Sequence, residues 1–92
     1  MRIGAADDIA GIVRAARGDA VTLVIDEEGE PLALAQALAS IGPLAMERAP
    51  EMRVNAVIVR ADAVEGEISA AVAFLDSARS TTGQILWVGS SG

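Results

Sequence analysis

The sequence predicts an α/β fold in the order α-β-α-β-α-β, with a three-stranded parallel sheet flanked by helices. Three observations predict it. Residues 20–25 (Ala-Val-Thr-Leu-Val-Ile) and 53–59 (Arg-Val-Asn-Ala-Val-Ile-Val) are β-branched runs without polar alternation, which suits strands covered on both faces. The stretches between such runs carry apolar residues at helical spacing. Strands that alternate with helices pair in parallel through right-handed crossovers, and no linker or repeat divides the 92 residues into more than one unit, so a single domain over 1–92 is expected.

The elements follow in order. A helix is predicted over 7–17, where Ile9, Ile12 and Val13 share a face, Asp7 and Asp8 suit the positive end of the helix dipole, and Gly18 ends it. The first strand, 20–25, is bounded by Asp19 and Asp26. A long helix over 31–49 opens on Pro31, which is well placed in a first turn. Leu34, Leu38, Ile41 and Ala45 repeat at helical spacing, and Ala33, Ala35, Ala37 and Ala39 keep much of the surface small. Gly42-Pro43 is its weak point, because proline inside a helix removes a hydrogen bond; one kinked helix and two short ones both fit. A second strand over 53–59, a helix over 65–78 with Ile68, Val72 and Leu75 on one side, a turn at Thr81-Thr82-Gly83-Gln84, a third strand over 85–88 and a tail over 89–92 complete the chain.

Composition narrows the chemistry. The net charge of −6 does not suit phosphate backbones, so no nucleic acid is expected as partner. All seven basic residues are arginine, within a bias toward Ala, Arg, Gly and Val that a GC-rich genome also produces. No cysteine is present, which removes disulfides and thiolate metal sites, and no histidine, which removes the commonest general base. Tyrosine and lysine are absent too, so acid–base work falls to Asp or Glu alone. The first residues meet Asp7 and Asp8 too early for a signal core, and no uncharged apolar run approaches the roughly 18 residues that cross a bilayer. A cytoplasmic chain without membrane contact is expected. At 52% hydrophobic residues and a mean hydropathy of +0.43, so short a chain has apolar surface to spare for a partner.

Leu44-Ala45-Met46-Glu47 followed by Arg53-Val54-Asn55-Ala56-Val57 resembles the "LALE…IRVNAV" of short-chain dehydrogenases. Ala71-Val72-Ala73-Phe74-Leu75, Ser77 and Thr82-Gly83-Gln84-Ile85-Leu86-Trp87-Val88-Gly89 are similar to the family's closing "AVAFLxS…TGQxLxVDGG". The resemblance covers about residues 18–89 and implies a half-Rossmann-like fold, the C-terminal half of a short-chain dehydrogenase/reductase. The departures matter as much. The family's glycine-rich cofactor turn, TGxxxGxG, is missing. Its Tyr-x-x-x-Lys pair, in which lysine lowers the tyrosine pKa and tyrosine exchanges the proton, falls on Glu30 and Leu34. The family serine falls near Asp26 or Glu27, and its Pro-Gly turn beside the nicotinamide is replaced by Arg60-Ala61. The resemblance therefore implies a reductase-like pseudo-enzyme, with no catalytic, cofactor-binding or metal-ligating residue assigned and no cofactor expected.

Several clusters compete for other roles. Asp26, Glu27, Glu28 and Glu30, with Asp62, stand where parallel strands end, and hard oxygen ligands suit Mg²⁺ or Ca²⁺. No fixed-spacing calcium motif accompanies them, and a solvated acidic turn that favours the start of the following helix is the preferred reading. Gly89-Ser90-Ser91-Gly92 offers backbone donors to an anion but is followed by no helix. Ser77, Ser80, Thr81 and Thr82 have no histidine or lysine base to activate them. The resemblance implies subunit contacts through the long helix and the one before it, and through the last strand and its preceding helix; Trp87 suits an interface anchor or a filler on an edge strand. In the family order, the strand at 20–25 neighbours a strand of the other half, so this edge or the helix pair is expected to be covered by another chain. A homodimer or tetramer is expected, with a full-length reductase as a second kind of partner. In the alternative, the chain is a partial subunit of an NAD(P)-dependent oxidoreductase whose cofactor half and catalytic residues come from another chain.

Overall fold

The computed structural model describes residues 1–27 and 29–89. Its elements are β1 (Arg2–Ile3), α1 (Ile9–Ala15), β2 (Ala20–Asp26), α2 (Pro31–Arg48), β3 (Arg53–Val59), α3 (Glu65–Ser77) and β4 (Ile85–Val88). The four strands lie side by side in chain order, all parallel. The α/β class and parallel sheet agree with the sequence; the strand number does not. The fourth strand is β1, whose two residues pair with Val24 and Ile25. The edge of 20–25 that the sequence left for another chain is thus occupied in part by this one. The Met1 ammonium donates to the Thr22 carbonyl at 2.9 Å and the Val24 N–H to Met1 O at 2.7 Å, so the pairing continues past Arg2.

Alternation along the strands divides the interior in two. Val21, Leu23 and Ile25 of β2, with Val54, Ala56 and Ile58 of β3, meet Ile9 and Val13 of α1 and Ile41, Leu44 and Ala45 of α2. Val24, Val57 and Val59 point the other way, onto Ile68 and Leu75 of α3. Helices α1 and α2 therefore cover one face and α3 the other. Each crossover steps in the same direction across the sheet, so the one through α3 must have the opposite hand to those through α1 and α2. The expectation that all are right-handed is corrected by this geometry: order and parallel pairing do not fix which face a helix takes, and here the apolar side of α3 finds its cover on the face that α1 and α2 leave bare.

Local chemistry explains the bounds. Helix α1 is shorter than 7–17 because Asp8 caps it from outside, accepting the Gly11 N–H at 3.0 Å. Gly18, at φ 101°, turns the chain toward β2. Helix α2 runs as one element through Pro43. Arg53 secures the end of α3 by donating to the carbonyls of Leu75, Asp76 and Ala78 at 3.2, 3.2 and 2.7 Å. Among the described residues, no helix is long and apolar enough to cross a membrane.

One exposed clamp joins α1 to α2. Arg14 donates from Nε and Nη2 to the two carboxylate oxygens of Glu47, at 2.7 and 2.9 Å. The hydrogen bond from Arg14 holds the Glu47 carboxyl below its ordinary 4.5. A depressed carboxylate stabilises the fold above its unfolded pKa, and that contribution disappears as pH falls through the folded value. Glu47→Gln is expected to unfold more readily than the parent at about pH 6, with the gap narrowing as pH falls below the ordinary carboxylate range, checked by urea denaturation across acid and neutral pH. A difference that persists at the acid end would show that the clamp acts other than by charge.

Candidate functional site

In open α/β sheets ligands gather outside the carboxyl ends of the strands, where neighbouring connections leave toward opposite faces. That condition holds between β2 and β3. The chain leaves β2 toward α2 on one face and leaves β3 toward α3 on the other, opening a crevice of about 310 Å³ lined by Arg2, Asp26, Arg60, Glu65 and apolar neighbours. The Glu27 N–H reaches across to the Val59 carbonyl at 2.8 Å and ties the two strand ends together.

Two guanidinium groups organise this end. Arg2 donates to Glu65 Oε1 at 3.0 Å and to Asp26 Oδ1 at 3.2 Å. These bonds, that of Glu65 first, raise its pKa further and keep it charged. Arg60 lies 4.8 Å from the ring centre of Trp87, with its Nε 3.8 Å from Glu27 Oε2 and its Nη1 3.4 Å from the Gly89 carbonyl. Gly89 has φ 97°, and a β-carbon there would approach Asp62 Oδ1 to 2.6 Å, so only glycine fits beneath that carboxylate.

Charge is divided along the strand direction. The carboxyl end collects Asp7, Asp8, Asp26, Glu27, Glu30, Asp62, Glu65 and Glu67 against Arg2 and Arg60. The opposite end sets Arg14, Arg17, Arg48, Arg53 and Arg79 against Asp19, Glu47, Glu51 and Asp76. The end where a parallel sheet would hold a ligand is thus strongly negative, and both of its arginines already face carboxylates. Such a field repels a pyrophosphate.

Of the acids marked in the sequence, Asp26, Glu27, Glu30 and Asp62 all lie at this end, Glu30 as the exposed residue before α2, and Glu28 lies outside the described residues. Among the described residues no three acids converge as metal ligands. Ser77 hydrogen-bonds the Phe74 carbonyl in its own helix, and the Thr82 hydroxyl accepts the Val54 N–H. Ser90, Ser91 and Gly92 lie outside the described residues. The sequence reading missed Asn55, which is fully buried: its amide donates to Thr81 O and accepts from the Gln84 N–H, both at 3.0 Å, fixing the turn into β4.

A second surface is apolar. Helix α2 turns Leu34, Ala37, Ile41, Leu44 and Ala45 inward, yet Leu32, Ala35, Ala39, Gly42, Pro43 and Met46 face solvent. Leu32 is 63% exposed and Met46 80%. Trp87 is 42% exposed, so it is a surface side chain, not a core filler.

A family model described as SDR-like, short chain dehydrogenase-like protein, matches residues 5–88. The chain belongs to this SDR-like family. The match takes in the whole of α1 to β4 and agrees with the resemblance carried by Arg53–Val59 and Ile85–Val88. No curated protein and no solved structure matches the SDR-like chain. The positions that the resemblance pairs with tyrosine and lysine take unrelated parts here: Glu30 precedes α2 and Leu34 packs against the core. Neither lines the strand-end crevice.

Proposed function

We propose that this SDR-like chain is a non-catalytic module that acts through protein–protein assembly, with itself or with a full-length reductase. The observation that carries the reading is the second apolar face of α2. A helix that is apolar on all sides belongs inside a larger structure, and this one has a core on one side only. The strand-end field supports the non-catalytic part, because an anionic dinucleotide would approach carboxylates and find no phenol, imidazole, thiol or ammonium side chain to exchange protons. The chain then needs no cofactor, and the cytoplasm is the compartment we propose.

The test joins two measurements on the purified chain. Light scattering is expected to report a dimer or tetramer, and titration with NADH or NADPH, followed by Trp87 fluorescence, is expected to show no saturable change. Trp87 sits at the strand ends against Arg60, where a dinucleotide crossing this end would disturb it. Saturable binding by the isolated chain would overturn the non-catalytic reading, and a monomer under all conditions would overturn self-assembly. A second reading draws on β1, a two-residue strand at the sheet edge with room for a neighbour. On that reading another chain supplies the cofactor half and catalytic residues, and oxidoreductase activity appears only when the two are mixed.

A further inference from the structure

We infer that residues 1–3 are exchanged between two copies of this chain, so that each β1 joins the other copy's sheet beside β2 and each Arg2 lies between the other copy's Asp26 and Glu65. The inference rests on the self-assembly reading and adds to it a contact that owes nothing to α2.

The groove that receives the segment is fully formed. Arg2 pairs with Val24 and Ile3 with Ile25, and the main-chain bonds between Met1 and β2 extend that ladder. On one side of the sheet the carboxylates of Asp26 and Glu65 converge on the guanidinium of Arg2, at 3.2 and 3.0 Å. On the other side Ile3 packs against the core shared with α1 and α2. The edge of β2 thus selects an extended segment in parallel direction, with a cation followed by an apolar residue. The first three residues of a second copy match it by construction.

The segment is held lightly in its own groove. Its strand has two residues, against seven in β2. Met1 and Arg2 are exposed, and Ile3 is half-buried. Both carboxylates on Arg2 are themselves open to solvent, where each ion pair contributes little. Segments with few buried apolar contacts open at a free energy far short of global unfolding.

The connection permits the exchange. Residues 4–7 fold back in a turn that the Asp7 N–H closes onto the Gly4 carbonyl at 3.1 Å, while the Gly4 N–H donates to Asp7 Oδ2 at 2.7 Å. Opened, these four residues span about 14 Å, enough to carry β1 to an edge that faces it across a two-fold axis. All bonds of the groove then re-form between copies, and what is given up is a turn whose side-chain bond is exposed to water. The exchange is reciprocal: each copy fills one groove and has its own filled, so the assembly closes at two chains.

Charge reversal distinguishes a segment seated at home from one seated in a neighbour. Arg2→Glu sets like charges together in one variant, and Asp26→Lys with Glu65→Lys does so in a second. Exchange between the two variants restores attraction in both grooves: the glutamate of the first meets the lysines of the second, and the arginine of the second meets the carboxylates of the first. An equimolar mixture, read by native mass spectrometry, is expected to form the mixed dimer, with either like dimer about tenfold below its statistical share. The three substitutions on one chain are expected to restore the parent's dimer, and circular dichroism checks that every variant retains the parent's fold. Glu65→Lys alone, at a side chain 77% exposed, serves as a gentler second variant. A mixed dimer at no more than its statistical share would overturn the exchange while leaving assembly standing. A parent chain that stays monomeric at every concentration would overturn both.

Discussion

Ile41→Ala is expected to destabilise the chain by about 3 kcal/mol, enough to lower the melting temperature by roughly 15 °C in a domain of this size. Ile41 is fully buried, between α2 and the strands that carry Leu23, Ile25, Val54 and Ala56. Truncation removes three carbons from a core closed on one side by a sheet and on the other by two helices, so the cavity has few ways to collapse. A small domain has about 5–15 kcal/mol in total, and the loss is a large part of it. Leu32→Ala, nine residues away on the same helix but on the solvent side, is the matched comparison. Urea denaturation at concentrations too low for association is expected to register about 0.5 kcal/mol or less for it. Equal losses at the two positions would mean that the helix is not oriented as described.

The second large effect is expected at Asn55. Replacement by leucine, near in volume, is expected to cost about 2–4 kcal/mol and to loosen the segment from Thr81 to Gln84. Asn55 lies in the middle of β3, and its amide saturates one carbonyl and one N–H of that turn. Leucine leaves both groups without their present partner in a part-buried turn. Amide exchange at Gln84 gives a local readout: its protection should drop out of proportion to the global loss of stability. Unchanged protection would show that the turn is held by other contacts, such as that of the Thr82 hydroxyl with Val54.

Much of the architecture was legible because it depends on short-range pattern. The strands at Ala20–Asp26 and Arg53–Val59 are apolar on both faces, and such runs have few alternatives. Arg2–Ile3 escaped notice because two residues have no period; they form a strand only because β2 offers Val24 and Ile25 a partner from that side. The hand of the last crossover was equally hidden. Sequence order says that α3 follows β3, and nothing in its composition says which face it takes. The long helix concealed its inner and outer faces for a related reason, since an element apolar all round carries little directional signal. At the candidate site, the gathering of Asp26, Glu27 and Asp62 followed from the rule about strand ends. Their arginine partners did not, because Arg2 meets a carboxylate 63 residues away and Arg60 meets Glu27 only once the two strands are paired.

Helices on both sides give the central strand a further property. Successive residues of β3 belong alternately to two unlike interiors, so a shift of the strand by one place would exchange its entire set. Most members of that set are interchangeable in kind, valine for isoleucine or alanine. Asn55 is not: moved to the other side, its amide would be trapped among the side chains under α2, far from the turn that it serves. One polar group thus forbids the neighbouring alignment that the apolar residues alone would tolerate, and it works as a key for the sheet's registration.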